Sequence, residues 1–262
     1  MKYIRPTING AGRAGHQFTQ MLAAFAIAKK YNLKYIYTPF IGKQSYWNEL
    51  FVVPGVTYNS VGVTNKVYIP RATNHRKLKI ILERNKDCLF VCAMDLFRKI
   101  SWDSFRYLKN LYKQQRNHRH FVAVHVRRGD ISKKGNRNRW VEISHYCNIV
   151  RNIRNLDSNI PIHVYSDGTI KQLQALKRFN VVFYLNTDTL STMRDLIDAR
   201  ILVTSKSNFC LLAAYSSRNL KLSISFPPYW YDFPKDRSDI CLVDENGNFD
   251  NDIVASYCSS TI

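Results

Sequence analysis

Phe121-Val122-Ala123-Val124-His125-Val126-Arg127-Arg128-Gly129-Asp130 starts as an apolar strand and ends in charge. A strand with no polar alternation is covered on both faces, which is the condition of a parallel sheet between helices. The chain after it keeps that rhythm. Apolar periodicity predicts a helix over 142–155, a strand over 162–165, a helix over 170–177 and a strand over 181–184. A helix over 190–198, a strand over 200–203, a helix over 208–217 and a strand over 221–226 follow. Short strands alternating with helices make an α/β unit whose ligands gather at the carboxyl ends of the strands.

Ahead of the quoted stretch the pattern is sparser. Phe18, Met21, Leu22 and Phe25 recur at helical spacing over 17–30, and Ala23, Ala24, Ala26 and Ala28 keep the other faces small, so this helix should be nearly buried. It follows Asn9-Gly10-Ala11-Gly12-Arg13-Ala14-Gly15, where glycine permits close approach of backbone to a ligand. Strands are expected over 34–37 and 89–92 and a helix over 102–112. Residues 40–86 carry no clear period, and the polar stretch 113–120 is the expected boundary, giving domains 1–118 and 119–262. Two domains are therefore expected, the second of them a parallel α/β unit.

With 262 residues, 45% of them hydrophobic, the chain can bury a large core, which excludes a disordered basic tail. Lysine and arginine total 39 against 19 acidic residues, a net charge of +20 that favours anionic partners. No stretch has the apolar core of a signal peptide or the length of a membrane span, so a cytoplasmic protein without a membrane span is expected. The six cysteines read mainly as buried thiols, with one disulfide pair left open.

Chemistry is sought at three strand ends. The first delivers His125, Arg127 and Arg128 into a loop that Gly129 lets turn. Planar guanidinium groups on a rigid strand end suit bidentate contact with a diphosphate, although a salt bridge to Asp130 would occupy one of them. In the second, Thr204-Ser205-Lys206-Ser207-Asn208-Phe209, Ser207 or Asn208 can cap the next helix, whose first N–H groups attract anions. The third is Tyr165-Ser166-Asp167-Gly168, where Asp167 is either a turn residue or an acceptor for a nucleoside.

Together, the His-x-Arg-Arg-Gly-Asp loop, the Gly-Arg-x-Gly-His-Gln start of a long alanine-rich helix, and Ser-x-Ser-Asn-Phe at a late strand end resemble the GDP-fucosyltransferase superfamily. The likeness spans 9–39 and 121–217 and leaves the middle and the C-terminal tail uncovered. The resemblance implies a GT-B fold, two Rossmann-like halves facing a cleft, and an inverting, metal-independent transferase that moves L-fucose from GDP-fucose. The acceptor would be a glycan or glycoprotein hydroxyl, with no cofactor beyond the nucleotide sugar. Arg127 would then bind the diphosphate, with His125 and Arg128 around the same nucleotide and Asp167 near the nucleoside. Ser205, Ser207, Asn208 and Phe209 would lie near the phosphates, and Gly12, Gly15 and Gln17 near the reacting sugar. Related turns often carry asparagine where this chain has His16, which leaves that residue's contact open. Asp130, Glu142 and His16 are the candidate bases.

Three other readings compete. The same fold can serve a UDP-sugar. Asp250-Asn251-Asp252 matches the Asp-x-Asp string with which other glycosyltransferases hold a metal, but it has no nucleotide-binding unit behind it. Lys133, Lys134, Arg137 and Arg139, interleaved with Trp140 and Tyr146, could bind nucleic acid or an acidic glycan without catalysis. No nucleic-acid-binding motif accompanies them, so nucleic acid is not an expected partner.

Overall fold

A computed structural model describes residues 1–7, 14–53, 55–57, 62–70, 73, 75–93, 112, 119–224 and 237–259. Gly12 and most of the helix expected over 102–112 lie outside the described residues. The chain divides into two compact units, Met1–Gln114 and Gln115–Ile262, where sequence placed the division after residue 118.

The first unit runs β1 (Tyr3–Pro6), α1 (Ala14–Lys30), β2 (Lys34–Tyr35), a 3-10 helix (Gly42–Glu49), β3 (Lys66–Ile69), α2 (His75–Arg84) and β4 (Leu89–Cys92). Its four strands are parallel, in the order β2-β1-β4-β3. Helix α1 is buried from Met21 through Ala28. Its alanines let neighbours approach closely on the faces that its large side chains do not fill, and Lys29 and Lys30 offset the negative end of its dipole. Phe18 stacks on Phe40 at 6.2 Å and tilts against Phe51 at 5.6 Å, so the start of α1 is pinned to the segment after β2. Helix α2 and strand β3 fall in the stretch that sequence left unread. Among the described side chains of α2, Leu78 and Leu82 are the fully buried ones, and its outer face is basic.

The second unit runs β5 (Arg119–Val126), α3 (Ile143–Leu156), β6 (Ile162–Ser166), α4 (Ile170–Leu173) leading into a 3-10 helix (Gln174–Phe179), and β7 (Val182–Leu185). Then come α5 (Thr189–Asp198), β8 (Ala199–Val203), α6 (Asn208–Ser216), β9 (Leu220–Ile224), β10 (Ile240–Val243) and α7 (Asn251–Ser259). The sheet order is β10-β9-β8-β5-β6-β7, and every pairing is parallel. Counted from β7 inward and out again, the unit's strands read third, second, first, fourth, fifth, sixth, the doubly wound nucleotide-binding order. Val122, Val124 and Val126 of β5 share one core with Tyr146, Ile149, Val150 and Ile153 of α3, each such burial contributing roughly 1.5–3 kcal/mol. Helix α6 is buried from Cys210 through Ser216, as its all-round apolar composition requires.

Two alternatives that sequence left open are decided here. All six cysteines are buried free thiols, so no disulfide pair forms. Asp250 heads α7: its Oδ1 accepts the amides of Asp252 at 3.0 Å and Ile253 at 3.3 Å, so the Asp-x-Asp string starts a helix. Among the described residues no cluster of three or more His, Cys, Asp or Glu is arranged to hold a metal, and no helix is long and apolar enough to cross a membrane.

Candidate functional site

The doubly wound order places a switch point between β5 and β8, where successive connections leave in opposite directions along the sheet. In sheets of this order the ligand crevice lies at the carboxyl ends beside such a point, so the residues after Val126 and after Val203 are the ones topology brings to it. They include two of the three strand ends singled out from sequence. The third, after β6, pairs directly with the first.

Arg127 leaves β5 into a pair of carboxylates. Its Nη1 donates to Asp167 Oδ2, and its Nη2 to Asp130 Oδ1 at 2.5 Å. Asp167 is occupied on both oxygens, because its Oδ1 accepts the Arg128 amide at 2.7 Å. Burial opposes ionisation of Asp167, but the amides of Gly129 and Arg128 and the charge of Arg127 outweigh it and hold the carboxyl below its usual range. Gly129 is required for this lock, since a Cβ there would lie 2.6 Å from Asp167 Oδ2. Gly168 faces the same demand from the other side, where a Cβ would lie 2.6 Å from the Cβ of Arg128. Two loops therefore meet glycine to side chain and hold one guanidinium at a defined angle. Arg127 itself is 13% exposed and Asp130 47%, so the inner partner is fixed and the outer one borders solvent.

Arg128 departs from expectation. It is 2% exposed, with Nη1 on the Arg127 carbonyl at 2.8 Å, Nη2 on the Val141 carbonyl at 2.9 Å, and its guanidinium 4.1 Å from the centre of the Trp140 ring. Those contacts use its fork inside the protein, so Arg128 shapes the loop and does not face a nucleotide. The basic cluster after it fares similarly as a nucleic-acid surface. Tyr146 is buried and Arg128 covers one face of the Trp140 ring, so the two aromatics do not form a platform on which successive bases could stack.

At the end of β8, Ser205 Oγ lies 2.6 Å from His125 Nδ1, tying the two strands together across the switch point. Burial drives the His125 pKa down to about 4 against the pull of Asp167, so the imidazole is neutral at physiological pH. Phe209 packs its ring 5.7 Å from the His125 ring. Ser207 caps α6, its hydroxyl accepting the Phe209 amide at 3.3 Å, and Asn208 opens the helix half-buried. His125, Ser205, Ser207, Asn208 and Phe209 are thus brought to one edge, with Arg127, Asp130 and Asp167 at the other strand ends of the same edge.

In the first unit, Gln17 also departs from expectation. It is fully buried, its Oε1 accepting the Ile41 amide at 3.1 Å and its Nε2 donating to the Ile41 carbonyl at 3.4 Å. Both ends of the amide are spent on holding α1 to the next segment, so Gln17 is a structural clasp. Gly15 is buried in the first turn of α1, and His16 is half-buried, its carbonyl accepting Thr19 Oγ1 at 2.7 Å. Glu142 precedes α3 and pairs with Lys133 at 2.9 Å, a contact that holds its carboxyl low.

Sequence reading passed over Lys206. It sits between Ser205 and Ser207, is 3% exposed, and its ammonium is driven down by burial to about 8. A lysine at the carboxyl end of a buried strand, flanked by two serines, was the available signal.

No protein-family model matches the chain, and no curated protein matches it either. Among solved structures, the chain is similar to the E. coli heptosyltransferase WaaC with ADP, at 11% identity and a TM-score of 0.44 over 94% of this chain and 92% of that one. It is also similar to TarM, at 14% identity and a TM-score of 0.36 over 94% of this chain and 49% of that one.

Proposed function

We propose that the chain is a glycosyltransferase that binds a nucleoside diphosphate sugar on the carboxyl edge of its second sheet. The observation that carries this reading is Arg127, held by Asp167 and Asp130 at the switch point of a doubly wound unit. Such a crevice takes nucleotides, and a rigid guanidinium there matches a diphosphate. The motif resemblance sharpens the reading to GDP-fucose as donor and a glycan or glycoprotein hydroxyl as acceptor. The second unit would bind the donor and the first the acceptor, as in a GT-B enzyme.

Mechanism follows from where charge develops. The bond between the anomeric carbon and the phosphate oxygen breaks, its electron pair leaves with GDP, and the ring becomes positive. A guanidinium placed in advance beneath the departing diphosphate is worth more in that state than in the ground state, so Arg127 lowers the barrier. The acceptor oxygen bonds to the opposite face of the anomeric carbon, inverting it, and the acceptor proton passes to a base or to solvent. Asp130 is the base candidate next to the guanidinium, and the incoming diphosphate would displace it from Arg127. His125, neutral and anchored to Ser205, serves as a hydrogen-bonding and packing partner at the nucleotide.

The test is a thermal-shift series with GDP, GDP-fucose, UDP and UDP-glucose, run with and without EDTA on wild type and Arg127→Ala, followed by GDP release in the presence of glycan acceptors. Ligands that bind only the folded state raise Tm in proportion to ln(1 + [L]/Kd). Stabilisation by GDP species that EDTA leaves intact and Arg127→Ala abolishes is the expected result. Stabilisation by UDP species alone would transfer the reading to another sugar, and no response to any nucleotide would end it.

A further inference from the structure

Helix α3 packs beside the 3-10 helix that continues α4, and on that ridge two arginines share one aromatic ring. Arg178 holds its guanidinium 4.9 Å from the centre of the Phe179 ring, and Arg151 of α3 holds its own 6.0 Å from the same centre. Both arginines are exposed, whereas Phe179 is half-buried against the core of the second unit.

The ridge is fastened from within. Arg154 commits its guanidinium to main-chain carbonyls: Nε donates to Phe179 at 3.1 Å, Nη2 to Asn180 at 3.1 Å and Nη1 to Ser158 at 3.0 Å, which ties the end of the 3-10 helix to α3. Arg151 is oriented by donating from Nη1 to Asn148 Oδ1 at 3.0 Å, and Asn148 is turned in its place by donating to the Asn246 carbonyl at 2.8 Å. Cys147, buried one turn before Arg151, feels both cations: burial pushes its thiol up, and Arg178 and Arg151 pull it back. The two charges therefore lie within electrostatic reach of one sulfur.

No carboxylate answers them. The chain carries no Asp or Glu over 143–156 or 170–180, and Asp157, which follows α3, accepts the amides of Asn159 at 2.9 Å and Ile160 at 3.0 Å. Among the described residues neither Arg151 nor Arg178 forms an ion pair, and exposed Lys177 beside them adds a third positive charge. Like charges held together repel, and an anion placed between them turns that repulsion into two attractions.

The shape of the anion follows from the two forks. A guanidinium laid along an aromatic ring is pre-organised, so it loses less freedom when it grips a pair of oxygens. A phosphate that is free or ends a monoester carries up to two negative charges and three or more oxygens, enough for both arginines. A carboxylate or a nucleic-acid phosphodiester carries one charge and leaves one arginine unmatched.

We infer that this ridge binds a phosphate dianion, free or as the end of a phosphate monoester, gripped by Arg151 and Arg178 across Phe179. Both arginines lie on elements that run back toward the amino edge of the sheet, so the site is distinct from the donor crevice at the carboxyl edge.

Calorimetric titration at constant ionic strength with inorganic phosphate, glucose 6-phosphate and glucose tests this on wild type, Arg151→Gln, Arg178→Gln and Arg127→Ala. Glutamine keeps helix propensity, and both positions are exposed, so the first two variants should fold. Inorganic phosphate or glucose 6-phosphate should bind well ahead of glucose, and each glutamine variant should weaken it by about ten-fold or more. Arg127→Ala should leave that binding in place. Comparable affinity for both anions would assign the site to the free ion, and preference for glucose 6-phosphate to a phosphorylated metabolite. No phosphate binding, equal binding of glucose, or unchanged affinity in either glutamine variant would overturn the inference. Loss of binding in Arg127→Ala would do so as well, since the phosphate would then belong to the donor crevice. A short RNA run in parallel gives the last check: RNA binding that depends on Arg151 and Arg178, without binding of either small anion, would replace this site with a nucleic-acid surface.

Discussion

The second sheet carries an ionic cluster at each end, and the two are built from the same residue types for different ends. At the carboxyl edge, Arg127 is shared between Asp167 and Asp130, and one of those carboxylates borders solvent. At the amino edge, Lys221 of β9 donates to Asp239 at 2.8 Å and to the Ser217 carbonyl at 2.8 Å, while Arg237 grips both oxygens of the same aspartate. Lys221 is 2% exposed and fully committed to partners within the protein. The amino-edge cluster fastens β10 to β9, whereas the carboxyl-edge cluster holds a cation beside an exposed carboxylate. In the carboxyl-edge network Asp130 is the member that an anionic ligand would replace, as the proposed function requires.

The largest effect should separate the two ends. Asp239→Asn strips Lys221 of its counter-ion and should cost about 3–5 kcal/mol in urea denaturation, with the folded protein still answering to GDP. The acid limb reports the same group. Burial raises the Asp239 pKa, but Arg237 and Lys221 overcome it and bring it down from 3.8 to about 2. A folded-state pKa depressed in this way adds stability that is whole above about pH 4 and is lost as pH falls toward 2, on the order of 2 kcal/mol. The variant should show a flatter stability profile across that interval.

Arg127→Ala should do the reverse. Turnover should fall about 10²–10³-fold in a GDP-release assay, with stability reduced by no more than about 2 kcal/mol. A stability loss as large as that of Asp239→Asn would make the carboxyl-edge cluster structural after all. Smaller is Gly129→Ala, whose new methyl would displace Asp167 from the guanidinium. It should cost about 1–3 kcal/mol and weaken GDP binding together with stability. Asp130→Asn should have the smallest effect on folding, under about 1 kcal/mol, because an exposed ion pair contributes little. Its GDP affinity should hold or rise as Arg127 loses a competitor, and a fall in turnover alongside would identify Asp130 as the base.

Much of the second unit was legible from sequence. Its central strands β5 and β8 hold apolar runs that are buried, and its helices carry their apolar positions on one stripe or on all faces. What escaped notice has a physical cause in each case. Helix α2 shows sequence a basic run because, among its described side chains, only Leu78 and Leu82 are fully buried. Strand β10 and helix α7 lie beyond 225–236 and are short, with Cys241, Val254 and Cys258 as their buried marks. Gln17 looked like a ligand-facing polar residue, and the Ile41 backbone that consumes it has no local signature.

Sequence by itself determined the parallel α/β alternation and the loops that would carry function, because burial on two faces dictates composition and a parallel sheet collects its loops at one edge. Which of two adjacent arginines faces that edge was decided only by the tertiary structure. Arg127 meets a carboxylate 40 positions away, Arg128 a carbonyl 13 positions away, and His125 a serine 80 positions away. The role of a charged side chain depends on the partners that folding brings within about 3 Å of it, and those partners leave no mark on its neighbours in the chain.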